Sequence, residues 1–119
     1  MKTTMNFMQL KGRLVSDPEV KTTPTGKKVM VFSLIYMTSQ KTDSEGSHSN
    51  FITVEVWEKM AEVYGPLLNK GLQVIIAGTL LHQRWKATDG KQNSRYKLVA
   101  DSIAITDLKY RPVETPGAA

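Results

Sequence analysis

The sequence predicts an all-β protein with one helix, its strands curled into a small barrel. Three observations carry this. Most of the chain alternates apolar and polar residues with the period of two that belongs to strands. One stretch, Glu58 to Leu68, repeats its apolar residues at three- and four-residue spacing instead. A long strand after that stretch contains Gly78, a bend point of the kind a sheet needs to curl.

Taken in order, Phe7 to Val15 is strand-like and stops at Ser16-Asp17-Pro18, where proline removes a ladder donor. Pro24-Thr25-Gly26 sets a tight turn into the apolar run Lys28 to Thr38, and the two together point to a hairpin. Gln40 to Asn50 contains no apolar residue and is expected to be an exposed, mobile loop. In the next strand, Phe51 to Trp57, the residues Ile52, Val54 and Val56 form the apolar face, which leaves Phe51 and Trp57 beside Thr53 and Glu55 on the other. Large rings on a solvated face suit the stacking of planar ligands such as bases.

The helix is expected to bury Met60, Val63, Tyr64, Leu67 and Leu68, with Glu58 and Glu62 near its positive end and Asn69 and Gly71 as stop signals. Leu72 to Trp85 is a long strand, Asp89-Gly90 a turn, and Arg95 to Leu108 the last strand. Three strands, one helix and two strands is the order of the OB-fold, a five-stranded barrel that binds oligonucleotides or oligosaccharides. Its domain is expected to span residues 1–109, with 110–119, rich in Pro and small residues, disordered.

Composition narrows the ligand. The 119 residues suffice for one modest core, and sixteen Lys and Arg against eleven Asp and Glu give a net charge of +5, which favours a polyanion. Between Arg84 and Lys97, five cations face Asp89 alone, so that hairpin carries +4 of the charge. There is no cysteine for a disulfide or thiolate site. No apolar run approaches the roughly 18 residues of a membrane span, and Met1 to Thr4 lack a secretory pattern, so a soluble cytoplasmic protein is expected, with no membrane partner. His48 and His82 lack an orienting acidic neighbour and are each expected to be surface residues, and Thr25-Gly26-Lys27-Lys28 is no phosphate loop, because Lys21 stands where its first glycine belongs. Neither an enzyme nor a cofactor or metal site is indicated.

The stretches Gly12-Arg13-Leu14 with Asp17-Pro18-Glu19-Val20, Pro24-Thr25-Gly26, Trp57-Glu58-Lys59-Met60-Ala61-Glu62-Val63, Lys70-Gly71-Leu72-Gln73-Val74, and Arg84-Trp85 with Asp89-Gly90 and Arg95-Tyr96 resemble the bacterial single-stranded DNA-binding proteins in order and spacing. The resemblance implies a nucleoid-associated homotetramer that wraps single-stranded DNA in replication, recombination and repair without catalysis. It implies stacking on Phe51, Trp57 and Trp85 and phosphate contacts at Arg13, Lys21, Lys59, Lys70, Arg84 and Arg95, to which Lys86 adds itself as a neighbour of Trp85. Gln40 stands where many relatives have a further tryptophan, and Glu55 and Thr53 where basic or apolar residues are usual, which implies weaker contact there, while Ile52 replaces a histidine or similar polar residue at a position the resemblance ties to subunit contacts. Replication and repair proteins are implied as partners only through an acidic tip that would lie beyond Ala119. Two other readings remain: an OB protein for RNA or a replication-restart complex, and a protein-interaction barrel whose basic hairpin binds an acidic protein. Among the other aromatics, Phe7, Phe32, Tyr36 and Tyr64 are assigned to packing.

Overall fold

The inward-pointing residues of five strands meet in one core. A computed structural model describes residues 5–39 and 47–106, which form β1 (Met8–Leu14), β2 (Glu19–Thr22), β3 (Lys28–Ser39), β4 (Ser47–Trp57), α1 (Glu58–Tyr64), β5 (Gln73–Lys86) and β6 (Gln92–Ile105). Neighbours in the sheet run β1-β5-β6-β4-β3-β2, and β1 also meets β3, with Arg13 opposite Ile35 and Leu14 opposite Leu34. That contact closes five strands into a barrel and leaves β2 as a flap on β3. The β4–β6 pairing is parallel and short, Thr53 to Glu55 beside Lys97 to Val99, whereas the other pairings are antiparallel. The architecture is the OB-fold.

Several expectations change in detail. Five strands with the helix after the third become six with α1 between β4 and β5, because Glu19–Thr22 pairs with Val31 back to Lys28. All four of its residues are exposed, so no apolar alternation announces it. The turn at Pro24-Thr25-Gly26 does make a hairpin, but with β2, closed by Gly26 N–H donating to Thr23 O at 2.8 Å. The polar segment ending at Asn50 is shorter as a loop, since Ser47 to Asn50 pair with Tyr36 to Ser39 in the β3–β4 ladder, and residues 40–46 lie outside the described residues. The expected tail at 110–119 lies outside them as well.

The core comprises Met30, Leu34, Val54, Val56, Val74, Ile76 and Leu98, each fully buried, with Phe32 among them. Each such aliphatic side chain stabilises the fold by about 1.5–3 kcal/mol. The helix is a plug of two turns: Ala61 is buried, Met60 and Tyr64 pack on the core, and Tyr64 Oη–H donates to Ile103 O at 3.1 Å. It ends at Tyr64, earlier than the apolar spacing suggests. Pro66 has no N–H to continue the ladder, so the helix stops although Gly65 itself keeps helical dihedrals, φ −50° and ψ −49°. Val63 consequently points into solvent.

Two glycines permit the closure. A Cβ on Gly12 would lie 2.3 Å from Ile35 O, where β1 crosses β3, and one on Gly78 would lie 2.0 Å from Val99 O. At Gly78 the β5–β6 register slips, Ala77 facing Ser102 but Gly78 facing Ala100, so that Asp101 is the extra residue of a bulge. Past the bulge β6 still pairs with β4 from Lys97 to Val99 and buries Leu98, and only beyond that do β5 and β6 leave the barrel as a long hairpin.

Candidate nucleic-acid interface

Strand alternation places the candidate aromatics outside the core. On β4, Phe51, Thr53, Glu55 and Trp57 form the outer row, facing Ile35, Ser33, Val31 and Val29 of β3 across the ladder. Phe51 is 61% exposed, and Trp57 is half-buried. On the hairpin, Trp85 shares a face with Gln83 and Leu81 of β5 and with Asn93, Arg95 and Lys97 of β6. Trp85 is 39% exposed, and the Arg95 guanidinium lies 5.6 Å from its ring centroid, within cation–π range.

Trp57 is held in place. Its indole Nε1–H donates to Glu55 Oε1 at 3.2 Å, and Lys97 Nζ donates to Glu55 Oε2 at 2.5 Å. The Lys97–Glu55 side chains are only 13% and 12% exposed. Lys97, counted among the hairpin's free cations from the sequence, is thus neutralised by Glu55. The same contact changes the meaning of Glu55, whose charge is taken up by Lys97 and whose second oxygen orients a ring. At the adjoining residue the chain turns sharply, Glu58 taking the left-handed φ of +53° that swings it from β4 into α1.

Two of the hollows on this side of the barrel hold candidate aromatics. One, of about 620 Å³, brings Trp57 together with Lys21, Glu55 and Lys97, and the hairpin residues Leu81 and His82 form its far side. The other, about 640 Å³, is lined by Phe51, Thr53, Tyr36, Leu80, Arg95 and Tyr96 among others. Arg95 therefore touches both the Trp85 platform and the Phe51 groove.

The remaining candidates are spread more widely. Arg84 and Lys86 are exposed on the face of the hairpin opposite Trp85, opposite Ser94 and Gln92 respectively. Lys59 sits on α1 beside a hollow it shares with Lys27, Lys28, Glu58 and Glu62. Arg13 and Lys70 meet at another corner: Arg13 Nη1 donates to Gly71 O at 2.8 Å, and the Lys70 backbone N–H to Asp17 Oδ1 at 2.8 Å. Lys21 lies on the β2 flap, its ammonium 3.9 Å from Glu19.

Three assignments made from the sequence change. Phe7, assigned to packing, is 67% exposed, because inward parity on β1 belongs to Met8, Leu10, Gly12 and Leu14. Tyr36 is half-buried and lines the Phe51 groove. His82 is no isolated surface residue: its imidazole stacks on Tyr96, centroids 4.2 Å apart and planes 12° from parallel. Tyr96, to which the sequence reading gave no role of its own, lines the Phe51 groove: it is in step with Leu98 and Ala100, but the hairpin has left the core by then.

The Single-strand binding protein family model matches residues 5–106. Among curated proteins, the chain is 36% identical over 104 residues to a single-stranded DNA-binding protein of Clostridium tetani, covering 87% of this chain and 71% of that one. It is 32% identical to single-stranded DNA-binding protein 3 of Listeria innocua, covering 88% and 66%. With the single-stranded DNA-binding protein of Corynebacterium glutamicum the identity is 31%, covering 88% of this chain and 49% of the relative, so the chain spans about half of that relative's length. A solved Plasmodium falciparum SSB complex with ssDNA superposes with a TM-score of 0.81 at 20% identity, covering 90% of this chain and 99% of that one.

Proposed function

This chain belongs to the single-strand binding protein family, and from that premise we propose that it binds and protects single-stranded DNA without reading its sequence. One observation carries the reading on the chain itself: Phe51, Trp57 and Trp85 stand outside the core along one side of the barrel, with Arg95 between the last ring and the groove of the first. Aromatic faces accept any base, and cations beside them take the phosphates, which gives affinity without sequence preference.

In this reading Phe51, Trp57 and Trp85 stack bases, Arg95 and Lys21 contact phosphates beside them, and Arg84 and Lys86 contact phosphates from the other face of the hairpin. Arg13, Lys59 and Lys70 extend the positive surface to other corners, where a wrapped strand would reach them. Residues 1–109 act as the binding domain, and 110–119 lie outside it. The protein acts by binding alone, needs no cofactor, and works in the cytoplasm on nucleoid DNA during replication, recombination and repair. It assembles with further copies of itself, as a tetramer. Replication and repair proteins are partners only if an acidic C-terminal tip exists beyond this chain.

Intrinsic tryptophan fluorescence titrated with oligo-dT, oligo-U and duplex DNA tests the reading. Quenching by oligo-dT at concentrations where the duplex does nothing is expected, whereas preference for oligo-U would point to RNA, and no response to any of them would remove nucleic acid as the ligand. Trp57→Ala and Trp85→Ala should each weaken oligo-dT binding about tenfold, since stacking on an aromatic contributes about 1–3 kcal/mol per base. Wild-type affinity in both variants would show that the rings do not stack bases.

A further inference from the structure

We propose that Tyr96, backed by His82, is an additional base-stacking residue, and that the groove it shares with Phe51 receives one nucleobase of the bound strand. The proposal rests on the single-stranded DNA reading above and adds a subsite to it.

The groove exists because two strands part. β4 and β6 are paired only from Thr53 to Glu55 and from Lys97 to Val99. On the N-terminal side of that short ladder the strands diverge, and Phe51 and Ile52 on one bank face Arg95 and Tyr96 on the other across about 640 Å³. Both faces of each strand contribute because the opening passes through the sheet itself. A cleft of this size falls in the range of small-molecule sites. Its chemistry is that of a base and its phosphate: Phe51 and Tyr96 on opposite banks with Tyr36 as a third aromatic, hydroxyls on Ser33 and Thr53, a guanidinium on Arg95, and no carboxylate among the described lining residues.

Tyr96 is exposed for 54% of its surface, an unfavourable placement for an aromatic unless it meets something. It is also pre-set. The imidazole of His82 covers one side of the ring at 4.2 Å and nearly parallel, so little rotamer freedom is left to lose when a base arrives. His82 in turn lines the Trp57 hollow, so the His82–Tyr96 stack is the wall between the two hollows. A strand passing from Trp57 to Phe51 has to cross that wall. Arg95 joins the same groove to Trp85, which makes the groove continuous with the rest of the proposed path.

The experiment compares wild type, Tyr96→Ala, Tyr96→Phe and His82→Ala. Each is titrated with oligo-dT and with an oligomer of equal length built from abasic sugar-phosphate units, at one salt concentration, with thermal melting recorded for each variant. Tyr96→Ala should weaken oligo-dT binding about tenfold and abasic binding less than twofold. Tyr96→Phe, which keeps the ring, should bind within twofold of wild type. His82→Ala should lose about threefold on oligo-dT alone. Combining Tyr96→Ala with Phe51→Ala should cost less than the product of the single losses, because both rings serve one base. Tyr96→Ala binding oligo-dT within twofold of wild type overturns the subsite, and so does an equal loss on both oligomers. If Tyr96→Ala fails to fold, His82→Ala decides by the same criterion. Failure of wild type to bind oligo-dT would instead overturn the underlying DNA reading, and the subsite with it.

Discussion

A carboxylate beside a proposed DNA path opposes binding unless its charge is already taken up, and at Glu55 it is. Lys97 neutralises one oxygen and the Trp57 indole occupies the other. Glu55→Ala would leave a largely buried ammonium without its partner, so a stability loss on the order of 1–3 kcal/mol is expected in urea unfolding. Glu55→Gln separates the two tasks. It keeps an acceptor for Trp57 and removes the charge that Lys97 needs, so it should lose stability while keeping the wild-type indole emission that Glu55→Ala shifts. From the sequence, Glu55 read as a residue that weakens phosphate contact, because its partner is 42 residues away across a parallel pairing that no local pattern displays. Phe7 is out of step with the inward residues Met8, Leu10, Gly12 and Leu14, whereas Tyr96 is in step with Leu98 and Ala100 but lies past the end of the core. Alternation tells which side of a strand a residue takes, and not whether a core stands opposite that side.

At the level of elements, the hairpin carries Arg84, Trp85, Lys86 and Arg95, and the bulge at Gly78 is where its two strands shift register. Adding a methyl there would bring it within 2.0 Å of Val99 O, a backbone atom that can move only with its strand. Gly78→Ala should therefore destabilise the domain by about 1–3 kcal/mol or more, the usual range for overpacking, as read from the urea midpoint. Strong local signals were legible: the Phe51 to Trp57 alternation, the Asp89-Gly90 turn with Gly90 N–H donating to Ala87 O, and Gly78 itself. Weak ones were not. β2 is four exposed residues held by its neighbour, and the extension of β4 back to Ser47 depends on β3 offering a ladder to polar residues that have no strand preference of their own. The helix was read too long because its apolar spacing continues through Leu67 and Leu68, and Leu68 is indeed buried, but in the turn after Pro66.

Across the whole molecule the positive charge is distributed, with the hairpin, the β2 flap, α1 and the Arg13–Lys70 corner each holding part of it. Affinity for a single strand should fall with log salt at about 0.7 per phosphate neutralised. A path using Arg13, Lys21, Arg84, Lys86 and Arg95 then gives a slope near about −3 or steeper. Lys86→Glu should flatten that slope by about one unit without creating a base preference, measured by titrating oligo-dT and oligo-dA from low to high salt. That the chain is a barrel was legible from element order alone, whereas the closure itself was not, because Arg13 and Leu14 meeting β3 leaves no trace in periodicity. Closure also has a cost in time. β1 is made first, yet its ladder from Met8 to Arg13 is completed by Gln73 to Gly78. At ribosomal speeds of about 5–20 residues per second, the roughly 60 residues between them take on the order of 3–12 s to synthesise. Throughout that interval the apolar side of the emerging first strand has no native partner on β5, so its exposure outlasts what the size of the protein would suggest.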